Sequence, residues 1–206
     1  MGCDIHVYCE ARHKHWESDG DKWFNIDHWK KNKYSSMGEG EKEWEVVNIY
    51  DNRDYALFSI LAGVRNYYDN APIADPRGLP NDCSQEVASE SESWGRDGHS
   101  HSWLTLKELM DYRRDHNKTR YSGFITNEQA AELENGITPD SWCQGTNMSG
   151  YVHRKWEGEI TPSFTDLLST LVDRACDEFW IYDNDSKSQA VKNIAEDVRI
   201  VFWFDN

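Results

Sequence analysis

The sequence predicts an α+β fold, in which a small and mostly antiparallel sheet is covered by helices and joined by long irregular loops. Strand-like alternation occurs at both ends of the chain, in residues 1–12 and 197–204, whereas helical spacing is confined to segments between them. The regular strand and helix alternation of a doubly wound parallel sheet is absent. A length of 206 residues fits a single domain that spans residues 1–206.

The first predicted strand has one apolar face and one polar face. Its odd positions are apolar or small and its even positions are polar: Ile5, Val7, Cys9 and Ala11 against Asp4, His6, Tyr8 and Glu10. Strict alternation is typical of a half-buried strand, and side chains two positions apart lie about 7 Å from each other. Residues from elsewhere in the chain must therefore complete any site on the polar face.

Two further strands are expected in the first quarter of the chain. Residues 22–29 are rich in aromatic side chains and predict a strand that forms a hairpin with the first one. Residues 30–43 lack periodicity and predict a solvated loop, after which residues 44–50 return as a short strand.

A change to helical spacing marks the next segment. Residues 54–64 predict an amphipathic helix that follows an Asp cap and ends near Arg65, where the helix dipole favours a cation. Residues 72–84 contain three prolines and a glycine, so they predict a loop that presents Arg77 for binding.

The centre of the chain holds a pair of histidines before a helix. Residues 85–92 are acidic and rich in serine, which predicts a solvated segment. Thr105 and Glu108 have the spacing of a capping box and predict that a helix begins there. His99 and His101 then lie just before a helix N-terminus, a position that attracts anions such as phosphate.

Three helices, an irregular connection and a last strand are predicted in the second half of the chain. Short helices are expected over residues 127–134 and 188–195, and the strongest helical pattern covers residues 163–179. Residues 138–158 show no sustained period and predict a long irregular connection. The last strand, residues 197–204, carries apolar side chains at both parities and should be buried on both sides.

The composition excludes several classes of function. With 37 acidic and 22 basic residues the formal net charge is −15, which disfavours binding to DNA or RNA phosphates and to anionic membranes. No apolar run approaches the roughly 20 residues that span a bilayer, and the N-terminus lacks a signal-peptide pattern. We therefore expect a cytoplasmic protein. Its five cysteines are odd in number and scattered, and they predict free thiols.

Four sequence blocks resemble a family of small bacteriophage and prophage proteins. They occur in the same order along the first half of the chain: Met1–His6 with Glu10, Phe58–Asn66, Pro76–Pro80 and Asp97–Leu104. The resemblance implies a phage origin and a host-cell cytoplasmic location. It implies no activity, because that family is described only as uncharacterised.

Two enzyme families share fragments of this pattern. Metal-dependent amidohydrolases and related phosphoesterases often open with Asp-x-His-x-His, but Tyr8 stands here in place of the second histidine. Two-histidine phosphoesterases need two His-x-Ser/Thr tetrads, and only the segment His99–Ser102 is similar. Neither fragment by itself implies the activity of its family.

The residue types nevertheless suggest a metal site. Imidazole and carboxylate groups suit Zn²⁺, Mn²⁺ or Fe²⁺, so we predict that one such ion is bound by His6, Glu10, His99 and His101. The metal would activate a water molecule. Asp4 and Glu10 are the predicted catalytic carboxylates.

A substrate site is predicted beside these residues. Arg65 and Arg77 could bind a phosphate through paired hydrogen bonds, and Trp94 or Trp103 could stack on a base. The ligand predicted by this set is a small nucleotide or another phosphorylated molecule.

Three functions are compatible with the sequence. The first is a metal-dependent hydrolase that acts on a small phosphorylated or nucleotide-like substrate. The second is a phage counter-defence protein that binds and sequesters a host nucleotide signal. The third is an acidic inhibitor that blocks a basic host protein through the clusters at residues 39–45 and 86–92.

Overall fold

A computed structural model of the chain describes residues 2–14, 21–34 and 43–206. Within these residues the chain is α+β, as the sequence predicts, with eight strands and six helices. The strands are β1 (Ile5–Ala11), β2 (Phe24–Asn25), β3 (His28–Lys31), β4 (Trp44–Val47), β5 (His99–Thr105), β6 (Lys118–Thr126), β7 (Tyr151–Glu159) and β8 (Val198–Phe204). The helices are α1 (Tyr55–Ala62), α2 (Gln85–Trp94), α3 (Leu106–Asp115), α4 (Asn127–Glu134), α5 (Pro162–Glu178) and α6 (Asn184–Ile194).

The main sheet is antiparallel and has the strand order β2, β1, β8, β5. The N-terminal strand β1 and the C-terminal strand β8 pair over their full lengths, from Ile5 opposite Phe204 to Ala11 opposite Val198. Every residue of β8 is buried, which confirms the prediction of a strand covered on both sides. The two ends of the sequence therefore form the centre of the sheet.

One face of this sheet packs against the main hydrophobic core. The apolar positions of β1 lie there together with buried side chains of α1, α3 and α5, among them Phe58, Leu109 and Phe164. Helix α5 was predicted from its spacing, and Pro162 occupies its first turn as expected. The polar residues of β1 consequently face the opposite side.

The opposite face is also covered, by a helix that the sequence did not indicate. Tyr8, Val201 and Trp203 are buried there against Val87 of α2. Residues 85–92 are exposed or half-buried apart from Val87, in keeping with the predicted solvated segment, but they form helix α2, which Ser84 caps by accepting a hydrogen bond from the Val87 amide. A single strongly apolar residue was too weak a signal for this helix.

Strand β5 was also missed. It begins at His99 and ends at the Thr105 capping box, where α3 begins as predicted. A bulge between His99 and Ser102 interrupts its pairing with β8, and Ser100 has a positive φ of 52° within it. Because a bulge inserts an extra residue, the alternation that identifies a strand is lost in this segment.

Two small sheets lie outside the main one. Strand β2 pairs with β1 as predicted, but residues 28–31 form a separate strand β3 that pairs with β4. The predicted loop between them falls partly on residues 35–42, outside the described residues. Strands β6 and β7 form an antiparallel pair over nine residues each. The prediction of an irregular connection over residues 138–158 is therefore wrong for residues 151–158, which belong to β7.

The remaining helices agree with the sequence. Asp54 caps α1 through the amides of Ala56 and Leu57, and Gly63 ends the helix with a positive φ of 68°. Helix α6 begins four residues earlier than predicted, at Asn184. Among the described residues, no helix is long and apolar enough to cross a membrane.

Candidate functional site

A cleft of about 790 Å³ opens along the polar face of the main sheet. We call it the Arg–Trp cleft, because its lining includes two tryptophans and four basic side chains: Trp23, Trp103, Arg12, Arg77, Lys107 and Arg199. Its volume lies within the range of pockets that bind small molecules. It is therefore the first place to search for a binding site.

The register of the main sheet places these side chains together. Glu10 of β1 and Thr105 of β5 both lie opposite Arg199 of β8, so all three project from the same face. Trp103 is two residues before Thr105 and shares that face. The loop after Pro76 adds Arg77 from the edge of the sheet.

Guanidinium groups and indole rings alternate across the cleft. The Arg199 guanidinium carbon lies 3.9 Å from the ring centroid of Trp23 and 5.8 Å from that of Trp103. Arg12 lies 4.8 Å from Trp23, and Arg77 lies 4.6 Å from Trp103. We call this series of Arg12, Trp23, Arg199, Trp103 and Arg77 the Arg–Trp ladder, and its contacts have the geometry of cation–π interactions.

The central arginine of the ladder is fixed by carboxylates. Arg199 is only 3% exposed, and its Nε donates to Glu10 Oε2 at 2.8 Å. Its Nη2 donates to Asp82 Oδ1 at 3.0 Å. Glu10 Oε1 accepts a hydrogen bond of 2.6 Å from the Ser84 amide, so both oxygens of this buried carboxylate are occupied by protein groups.

The two outer arginines are more accessible. The side chains of Arg12 and Arg77 are 26% and 29% exposed. Arg77 donates to both carboxylate oxygens of Glu108 and to the Trp103 carbonyl. Burial acts to raise the pKa of Glu108, but hydrogen bonds from Arg77 and Thr105 lower it below its ordinary value.

Charged side chains of both signs line the cleft. Four cations line it together with three carboxylates, those of Asp82, Glu108 and Glu196, whereas the whole chain has a net charge of −15. Arg12 uses its Nε for Asp197, and its two Nη atoms have no partner among the described residues. The cleft therefore offers charged hydrogen-bond donors that a small anion could accept.

The predicted metal-ligand histidines lie farther along the same sheet. The centroid of the His6 ring lies 4.0 Å from that of Trp94 in a tilted arrangement, and His6 Nε2 is 3.4 Å from Asp205 Oδ2. His101 packs 5.4 Å from Trp203, and its Nε2 lies 2.9 Å from Ser91 Oγ. Burial, followed by the charge of His99, lowers the pKa of His101, which favours a neutral imidazole.

His99 faces away from His101. It lies opposite Phe204, a core residue, because the bulge at Ser100 shifts the alternation of β5. Its Nε2 is buried and has no hydrogen-bond partner among the described residues. Within residues 2–14, 21–34 and 43–206, no three His, Cys, Asp or Glu side chains are arranged to hold a metal ion.

The other predicted site residues are divided between several places. Arg77 and Trp103 line the Arg–Trp cleft, whereas Trp94 contacts His6. Arg53 donates two hydrogen bonds to the carboxylate of Asp4, at 2.8 and 2.6 Å, and this bidentate pairing lowers the pKa of Asp4. Arg65 lies beyond α1 with a positive φ of 50° and donates to Asn206 at 2.8 Å.

The sequence patterns did not identify several residues that line the cleft. Arg12, Trp23, Lys107 and Arg199 were not assigned a role, although Arg199 carries a usable signal. It is a charged residue inside a strand predicted to be buried on both sides. Buried charges need a paired partner, so this position already required a carboxylate nearby.

Comparisons with protein-family models, curated proteins and solved structures found no match to this chain.

Proposed function

We propose that the protein binds a small phosphorylated, nucleotide-like ligand in the Arg–Trp cleft. The observation that carries this proposal is the ladder of three guanidinium groups and two indole rings along one cleft. Guanidinium groups bind phosphate through paired, charge-assisted hydrogen bonds. Flat cations and aromatic rings also stack on bases.

The accessible donors are the two ends of the ladder, Arg12 and Arg77, and Lys107, which also lines the cleft. Arg12 has free Nη atoms within the described structure, and the Lys107 side chain is half exposed beside Asp111. Arg199 is enclosed by Glu10 and Asp82, so its role is to hold Trp23 and Trp103 in place. The outer groups then make the direct contacts to the ligand.

Binding is favoured over hydrolysis by the placement of the predicted catalytic groups. Glu10 is occupied by Arg199 and Ser84, and Asp4 is paired with Arg53. Hydrolysis by a Zn²⁺, Mn²⁺ or Fe²⁺ site at His6, Glu10, His99 and His101 stays a prediction. It would require Glu10 to leave Arg199 and Ser84, and His99 to turn to the face of the sheet that carries His101.

The phage resemblance of the first half of the chain supplies a biological setting for this proposal. A phage protein that binds a nucleotide without destroying it would sequester a host signal. The third prediction, inhibition of a basic host protein, gains one structural detail, since residues 86–92 lie on the largely exposed helix α2.

Calorimetric titration tests the proposal. ATP, ADP and AMP should bind the wild-type protein, whereas adenosine should bind much more weakly because it lacks phosphate. Arg77→Gln should weaken binding about tenfold or more, since a hydrogen bond to a charged group contributes about 1.5–3 kcal/mol. After heat denaturation the ligand should be recovered intact.

A matched variant controls for general charge effects. Arg114 is an exposed arginine on α3 that pairs with Asp111 and Asp115 outside the cleft lining. Arg114→Gln should leave binding unchanged. Equal losses in Arg77→Gln and Arg114→Gln, or no binding of any phosphorylated nucleotide, would contradict the proposal, and recovery of cleaved nucleotide would favour the hydrolase.

A further inference from the structure

We infer that the outer edge of β7 is a self-association surface, at which a second copy of the chain adds its own β7 in antiparallel orientation. The two strands would meet about a two-fold axis through Trp156. The result is a continuous four-stranded sheet. Its order is β6 and β7 of one copy, followed by β7 and β6 of the second copy. This surface is separate from the Arg–Trp cleft.

In the part of the chain that the structure describes, strand β7 has one paired edge and one open edge. Strand β7 spans nine residues and pairs with β6 along its whole length, from Tyr151 opposite Thr126 to Glu159 opposite Lys118. Among the described residues, no strand pairs with its other edge. A long open edge presents amide and carbonyl groups that another strand can pair with.

The exposed face of β7 carries its charges in a definite order. Alternate residues of β7 are exposed, and they change from basic to acidic along the strand: Tyr151, His153, Lys155, Glu157 and Glu159. Antiparallel pairing about Trp156 places Lys155 opposite Glu157 and His153 opposite Glu159. Because the axis is two-fold, each of these complementary pairs occurs twice, and such cross-strand pairs stabilise a sheet.

Neighbouring registers are disfavoured by the same charges. An axis through Lys155 places the two copies of that lysine opposite each other, and an axis through Glu157 does the same for two glutamates. Like charges directly opposite each other are destabilising. Charges of one sign would protect an open edge from association, but this mixed order selects one register instead.

The local ion pairs of these residues are weak competitors. Lys155 lies 2.8 Å from Asp69, and Glu157 lies 3.5 Å from Arg120. All four side chains are more than half exposed, between 53% and 68%. Ion pairs between exposed side chains contribute little to stability, so they can rearrange when a second strand arrives.

The backbone of this edge is held in place from the opposite face. The Trp156 ring packs 5.8 Å from Tyr121 and 5.5 Å from Trp142, and it is largely buried. Helix α4 also contacts both strands of the pair. Association can therefore use a preformed strand and does not have to pay for its ordering.

A charge-exchange experiment tests the inference. Light scattering after size-exclusion chromatography should show that the wild-type mass rises from monomer to dimer with increasing concentration. Lys155→Glu places two glutamates opposite each other, and Glu157→Lys places two lysines opposite each other, so each variant alone should stay monomeric. Mixing the two variants restores opposite charges at both positions, and a heterodimer should form.

Matched controls use charge changes outside the β6–β7 pair. Lys187→Glu on α6 and Glu128→Lys on α4 should leave the wild-type dimer intact, and circular dichroism should show that all variants are folded. The inference is overturned if the wild-type protein stays monomeric over the concentration series. It is equally overturned if either β7 variant dimerises alone, or if their mixture forms no heterodimer.

Discussion

The buried pair of Glu10 and Arg199 is the residue-scale feature on which the cleft depends. Glu10→Ala would leave the Arg199 charge enclosed between two indole rings without its main partner. We expect a loss of about 3–5 kcal/mol in the free energy of unfolding, measured by urea denaturation. Asp4→Ala, which removes an exposed pair with Arg53, should change it by about 1 kcal/mol or less, and equal effects would contradict this account.

Asp27 predicts a dependence of stability on pH. It is buried, its Oδ2 accepts hydrogen bonds from the Cys9 amide and Asn25, and burial raises its pKa to about 6 from an ordinary 3.8. Between these two values the folded state holds a proton that the unfolded state has lost. Stability from this group is therefore complete below pH 3.8 and is lost as the pH rises through 6.

The matched variant is Asp27→Asn, which does not titrate. From pH 4 to pH 7 the wild-type protein should lose on the order of 3 kcal/mol of unfolding free energy relative to the variant. Urea unfolding at several pH values measures this difference. Parallel curves for the two proteins would show that Asp27 has an ordinary pKa.

At the scale of single elements, the close approach of β6 to the segment around Trp142 makes a clear prediction. A Cβ at Gly123 would lie 2.6 Å from a Trp142 ring carbon and 3.0 Å from the Cys143 carbonyl oxygen. Gly123→Ala should therefore reduce the free energy of unfolding by about 1–3 kcal/mol.

Gly145 provides the control for this substitution. A Cβ there would have no heavy atom within 4 Å, so Gly145→Ala should change stability by less than about 1 kcal/mol. Thermal or urea unfolding of both variants measures the contrast. Similar stabilities for the two variants would mean that Trp142 does not pack against β6 as described.

The elements that could be predicted are those with strong local signals. Helices α3 and α5 have a capping box or a long apolar repeat, and β1 and β8 have clear apolar patterns. Strands β6 and β7 were missed because exposed charges replace the apolar residues on one side, and only pairing between the two strands defines them. Strand β5 was missed because its bulge interrupts the alternation of side chains that identifies a strand.

At the scale of the whole molecule, the negative net charge affects extended polyanions and small anions differently. A net charge of −15 repels an extended polyanion such as DNA, whose many phosphates remain outside any single cleft. A small ligand in the Arg–Trp cleft would meet Arg12, Arg77 and Lys107 as well as the carboxylates that line it, and salt would screen more distant charges beyond about 8 Å. The acidic surface is thus compatible with a site for small phosphorylated molecules.

The site itself could be predicted only in part. Arg77 was predicted as a binding residue because it lies in a proline-rich loop, and Trp103 because it is close in sequence to His99 and His101. Both residues line the cleft. Arg12 and Trp23 could not be identified, because the pairing of β2 with β1 brings them to Arg199. The separation of His99 from His101 also depends on a bulge that sequence spacing does not reveal.

Binding of a nucleotide in the Arg–Trp cleft is tested most directly by NMR, through the indole N–H signals of the tryptophans during titration with ATP. In a ¹⁵N-labelled protein, the signals of Trp23 and Trp103 should shift in a saturable manner, because both rings line the Arg–Trp cleft. Trp44 and Trp180, which are 51% and 70% exposed and lie outside that cleft, should not respond. Saturable shifts at Trp44 or Trp180 with unchanged Trp23 and Trp103 signals would contradict the account.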